Sequence, residues 1–147
     1  MSTLLAIGDS HTFGAEILGP GKMYDQQNKE LAWPTKLGKL LNIDSVVNLG
    51  ESGASIMRTE RVLIEYLSQN PQPDLVIIGW TCLGRYEYCN GINEDGDYTY
   101  HKFNSWYNPE MPNENYEAYL PIVTADDLLA QKYRTVVMVQ QLSLIHI

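Results

Sequence analysis

Apolar positions along this chain fall into short runs divided by polar stretches that carry glycine and proline. Thr3–Ile7 (T-L-L-A-I) predicts a buried strand that ends at Gly8. Residues 44–49 (D-S-V-V-N-L) predict a second strand and 74–80 (D-L-V-I-I-G-W) a third. The third is apolar without alternation, the pattern of a parallel strand covered on both faces. Residues 135–139 (T-V-V-M-V) predict a fourth. Between these runs the period changes. Residues 33–41 predict a helix with Pro34 in its first turn. Residues 55–69 predict an amphipathic helix with Ile56, Val62, Leu63, Tyr66 and Leu67 on its apolar side, closed by Pro71 and Pro73. Residues 116–133 read as helical, started or broken near Pro121.

Strands that alternate with helices imply an α/β fold, a three-layer αβα doubly wound parallel sheet. In such sheets ligands sit at the carboxyl ends of the strands. The residues directly after each strand are therefore the candidates for chemistry. After the first comes Gly8-Asp9-Ser10-His11, after the second Asn48-Leu49-Gly50-Glu51-Ser52-Gly53, and after the third Gly79-Trp80-Thr81. A serine at a strand-to-helix turn is placed to attack an acyl carbon, with nearby backbone N–H groups to hold the oxyanion. Each loop taken alone is also consistent with ordinary turn chemistry.

These segments resemble the first three sequence blocks of the SGNH (GDSL-like) hydrolases. Gly8-Asp9-Ser10 is similar to the nucleophile block and Gly53 to the glycine of the second. Gly79-Trp80-Thr81 stands where the family has Gly-x-Asn. The resemblance implies the flavodoxin-like SGNH fold over residues 1–141. It also implies Ser10 as nucleophile, and an oxyanion hole formed by Ser10, Gly53 and Thr81. The activity it implies is hydrolysis of small esters or acetylated carbohydrates through an acyl-enzyme, with no cofactor and no metal. Two departures stand out. Position 81 carries Thr, whose hydroxyl is shorter than an Asn amide and also accepts. The family's Asp-x-x-His block occurs nowhere in the sequence. Of the three histidines, His11 adjoins the serine, His101 lies in a polar insert and His146 near the end.

The last six residues, Leu-Ser-Leu-Ile-His-Ile, resemble the translation of a transposase-end sequencing adapter. The expectation is that 142–147 is a non-native tail and that the catalytic Asp and His are missing from this fragment, leaving it inactive. A sheet cut after four strands would expose 135–139 as an unpaired edge and favour self-association.

Composition narrows the partners. At 147 residues the chain fits one domain able to bury a core. A net charge of −8 argues against nucleic acid as a partner. No apolar run is long enough to span a bilayer, and the N-terminus lacks the signature of a signal peptide, so the expected setting is cytoplasmic with no membrane partner. The two cysteines, Cys82 and Cys89, read as free thiols. Residues 82–116 form a Gly- and Asn-rich insert with Tyr86, Tyr88, Tyr98, Tyr100, Phe103, Trp106 and Tyr107. It reads as a loop packed down by its own aromatics or as a lid over substrate. Gly19-Pro20-Gly21-Lys22 is no P-loop, since Glu16 and Met23 occupy the positions of its first Gly and its Ser/Thr. No Gly-x-Ser-x-Gly or Gly-x-Gly-x-x-Gly is present. Two other functions fit the same residues. One is a non-catalytic carbohydrate-binding SGNH domain. The other is a flavodoxin-like module holding phosphate or flavin in the Ser10–Gly14 loop.

Overall fold

The computed structural model describes residues 1–82, 84–104, 130 and 132–137, apart from the side chains of Tyr88, His101, Phe103 and Asn104. The chain divides into two compact units, Met1–Thr81 and Cys82–Ile147.

The first unit is mixed α/β. Its elements are β1 (Thr3–Ile7), α1 (Ser10–Phe13), α2 (Asn28–Leu31), α3 (Trp33–Leu40), β2 (Ser45–Asn48), α4 (Ile56–Gln69) and β3 (Leu75–Ile78). The three strands form a parallel sheet in the order β2-β1-β3. Leu5 pairs with Val47 on one side and Val76 on the other. β1 is therefore the central strand, and Leu4 to Ile7 are wholly buried while β2 and β3 are half-buried. Four apolar residues flanked by strands on both sides make the core that the sequence pattern predicts.

Two carboxylates fix where β1 enters the sheet. Asp44, just before β2, accepts from the Ser2 N–H at 2.7 Å and from its hydroxyl at 3.1 Å. Asp74, just before β3, accepts from the Thr3 N–H at 2.7 Å. The Ser2 bonds hold the Asp44 carboxyl below its ordinary range.

α3 begins on Trp33-Pro34, where proline's missing N–H costs nothing. Gly38 lets it approach the sheet: a Cβ there would overlap Val46 of β2. α4 is capped by Ser55, whose hydroxyl accepts from Arg58 N–H at 3.0 Å. Ile56, Thr59 and Leu63 form its buried side.

In the second unit, β4 (Arg85–Ile92) and β5 (Tyr98–Asn104) form an antiparallel hairpin with a bulge between Cys89 and Gly91. Its turn is tied by Asn93, whose side-chain oxygen accepts from the Asp95 and Asp97 N–H groups at 3.1 and 2.8 Å. The insert read as a loop or lid is thus regular structure over these residues. Trp106 and Tyr107 lie outside the described residues.

Of the strand expected at 135–139, only 135–137 are described, and these are helical. Residues 132–137 are helical. A run of β-branched residues this short is compatible with either state, and context decides. The sheet of the first unit has three strands among the described residues, and 135–137 form no edge strand of it. Of the helix expected at 116–133, only 130, 132 and 133 are described, and these are helical. The tail at 142–147 lies outside the described residues.

Candidate active site

The three loops that leave the carboxyl ends of β1, β2 and β3 are bound to one another through α1. The Gly79 N–H donates to Ile7 O at 2.8 Å, Leu49 N–H to Ala6 O at 2.8 Å and Glu51 N–H to Gly8 O at 3.0 Å. These bonds continue the sheet beyond its last strand residues.

α1 sits on this platform by close approach. Thr12 is 1% exposed, and its hydroxyl fills the space where Gly8 and Gly79 would carry a Cβ. Gly50 packs against the α1 backbone, where a Cβ would stand 2.5 Å from Phe13 N and 2.7 Å from Thr12 C. Asn48 joins the pieces: its amide donates to Thr12 O at 2.8 Å and its side-chain oxygen accepts from Gly50 N–H at 2.9 Å. The glycines after the three strands thus serve tight packing of a short helix. Sequence reasoning noticed the glycines but missed Thr12 and Asn48, whose roles depend on tertiary contact. A polar residue at the last position of an apolar strand was the available signal for Asn48.

Ser10 is the first residue of α1 and half-buried. Asp9 caps the helix, accepting from His11 N–H at 3.0 Å. Gly14 closes it in the left-handed region at φ 84°, with its N–H on Ser10 O at 2.9 Å. Among the described residues no acceptor takes the Ser10 N–H, and none takes that of Gly53. Gly53 lies between β2 and α4 at φ 79°, a conformation that favours glycine. Thr81 lies three residues beyond β3 and is 7% exposed. All three residues therefore follow the carboxyl ends of adjacent strands, with Ser10 at the start of α1 after the central one.

No base for Ser10 is supplied by the described side chains. His11 is exposed and follows Ser10 directly. His101 has a described backbone in β5 only, and His146 lies outside the described residues.

A second group of residues, not singled out from sequence, adjoins this edge. Arg58 of α4 donates to Leu49 O at 3.0 Å and pairs with Glu51 at 2.6 Å. The pair fixes the β2–α4 loop that carries Gly53. A cleft of about 280 Å³ opens here between Phe13, Lys29, Gly50, Glu51 and Arg58. Lys29 Nζ lies 5.2 Å from the Phe13 ring centroid. Burial holds its ammonium below the ordinary lysine range, and the Arg58 charge acts in the same direction.

Among the described residues, no group of three or more His, Cys, Asp and Glu side chains is arranged to hold a metal ion. Cys82 and Cys89 are both exposed and unbridged. No described helix is long and apolar enough to cross a membrane. No family model, curated protein or solved structure matches the chain.

Proposed function

We propose that this chain carries the nucleophile and oxyanion elements of a serine ester hydrolase, built on a doubly wound αβα sheet of the SGNH kind. The observation that carries the reading is the position of Ser10, Gly53 and Thr81 on loops after three adjacent parallel strands, in the order β2-β1-β3. Right-handed crossovers from β1 to β2 and from β2 to β3 run in opposite directions across that order. They set α3 and α4 on opposite faces of the sheet. A reversal of this kind opens a crevice at the carboxyl ends of the strands.

In this reading the Ser10 hydroxyl attacks the carbonyl carbon of a small ester and gives its proton to a general base. The N–H groups of Ser10 and Gly53 and the Thr81 hydroxyl receive the negative charge that develops on the carbonyl oxygen. Collapse expels the alcohol and leaves an acyl-serine, which water then hydrolyses. The open N–H groups of Ser10 and Gly53 support the assignment, because an oxyanion donor needs to be uncommitted in the resting protein. The base belongs to an Asp-x-x-His segment that this sequence does not contain. Small esters, acetylated sugars among them, are the substrate class.

The test begins with the source DNA, read across codon 141 with independent primers. The resulting frame is expressed and assayed on p-nitrophenyl acetate beside Ser10→Ala. Hydrolysis that Ser10→Ala abolishes supports the reading. A frame that closes without Asp-x-x-His, together with no hydrolysis above that of Ser10→Ala, overturns it in favour of a non-catalytic carbohydrate-binding domain.

A further inference from the structure

The cleft beside α1 has a composition that the esterase chemistry does not use. Its wall holds two cations, Lys29 and Arg58, and one anion, Glu51. Arg58 is paired with Glu51 at 2.6 Å, and its side chain is only 11% exposed. Their charges offset one another. Lys29 has no carboxylate partner among the described residues, and its ammonium faces the Phe13 ring. The cleft therefore carries one uncompensated positive charge in a partly desolvated setting. Around it stand neutral groups able to donate hydrogen bonds: the Tyr24 and Ser52 hydroxyls and the Gln26 amide.

We propose that this cleft is a binding subsite for the carboxylate of a small molecule, with Lys29 as the charged contact. A single net positive charge matches a monoanion. A phosphate dianion would bring a second negative charge toward Glu51, which is itself part of the wall. A desolvated ammonium is also poised to gain from an anion, since burial has removed part of its hydration already. The cleft reaches Phe13, three residues along α1 from Ser10, and Ser52, the neighbour of Gly53. Where the chain acts on esters, its preferred substrates then bear a carboxylate away from the scissile bond. That last step rests on the ester-hydrolase reading, whereas the subsite does not.

The test is a titration of the ¹⁵N-labelled chain, followed by amide resonances. Sodium acetate is the probe, with acetamide as the uncharged isostere and inorganic phosphate as the dianion. Acetate is expected to shift Lys29, Gly50, Glu51 and Ser52 saturably, and acetamide to leave them unmoved. Lys29→Gln should weaken acetate by about tenfold or more, the loss expected for one charge-assisted hydrogen bond. Lys29→Arg should retain most of the affinity, which separates loss of charge from loss of fold. Acetate shifts that persist in Lys29→Gln, shifts scattered away from the cleft, or tighter binding of phosphate than of acetate would each overturn the proposal. Ser10→Ala should bind acetate as the parent does, so the result stands or falls apart from the hydrolase reading.

Discussion

Thr12 and Gly79 share one space: a Cβ on Gly79 would stand 2.5 Å from the Thr12 hydroxyl oxygen, closer than real Cβ atoms approach. The next nearest atoms, Ile7 O and Gly8 Cα, lie at 3.7 and 3.8 Å and leave room. The glycine after β3 is thus required by one side chain of α1. Gly79→Ala should destabilise the chain by about 1–3 kcal/mol, the usual cost of overpacking. Thr12→Ala removes the obstructing oxygen, so the double variant should cost less than the sum of the two single changes. Urea unfolding of the four proteins measures the coupling, and strict additivity would contradict the packing described.

Asn48 links β2 to α1 with one donor and one acceptor, at 2.8 and 2.9 Å. Asn48→Ala strands the Thr12 carbonyl and the Gly50 N–H. The expected loss is about 1–3 kcal/mol in the midpoint-derived stability. Hydrogen exchange at Gly50 should accelerate in the same variant.

Gly53 is held at φ 79° with nothing near its Cβ position. The cost of a side chain there is conformational rather than steric. Gly53→Ala should lose about 1–2 kcal/mol, while Gly53→Asn, which tolerates the left-handed region, should lose less. Equal losses in chemical unfolding would show that the loop relaxes out of this conformation.

The Asp44 carboxyl sits below its ordinary range because the Ser2 N–H and hydroxyl bond its charged form. A folded value lower than the unfolded one means that the unfolded chain binds more protons across the interval. Stability from this group is therefore complete above the unfolded carboxylate value, about pH 4, and is lost as pH falls through the lower folded value. Acid unfolding followed by circular dichroism should show a shallower dependence on pH in Asp44→Asn, in which that titration is gone.

The parts of the fold that were legible in the sequence are those whose burial is continuous. β1 is central, and its four buried residues read as an unbroken apolar run. α4 could be read because Ile56, Val62, Leu63, Tyr66 and Leu67 fall on one side at helical spacing, and of these Ile56 and Leu63 are buried. The hairpin was hidden by composition. Tyr86 and Tyr88 alternate with Glu87, and Tyr98 and Tyr100 with Thr99, around an Asn-Glu-Asp-Gly turn, yet the many polar residues suggested irregular chain. At 135–139, β-branched residues suggested a strand, and the described part of it, 135–137, is helical. The place of Ser10 at a strand-to-helix turn was legible because β1 reads as an apolar run that ends three residues before it. Thr12, Asn48 and the Lys29–Arg58 cleft depend on which loops meet in space, and no local pattern marks them.

The proposed ester hydrolysis turns on acylation at Ser10. It is tested by intact-mass analysis and peptide mapping after treatment with a fluorophosphonate, on protein expressed from the independently read source frame. One adduct is expected, on Ser10, absent in Ser10→Ala and suppressed by excess ester. No adduct from a frame that does contain Asp-x-x-His, or an adduct on another residue, would contradict it.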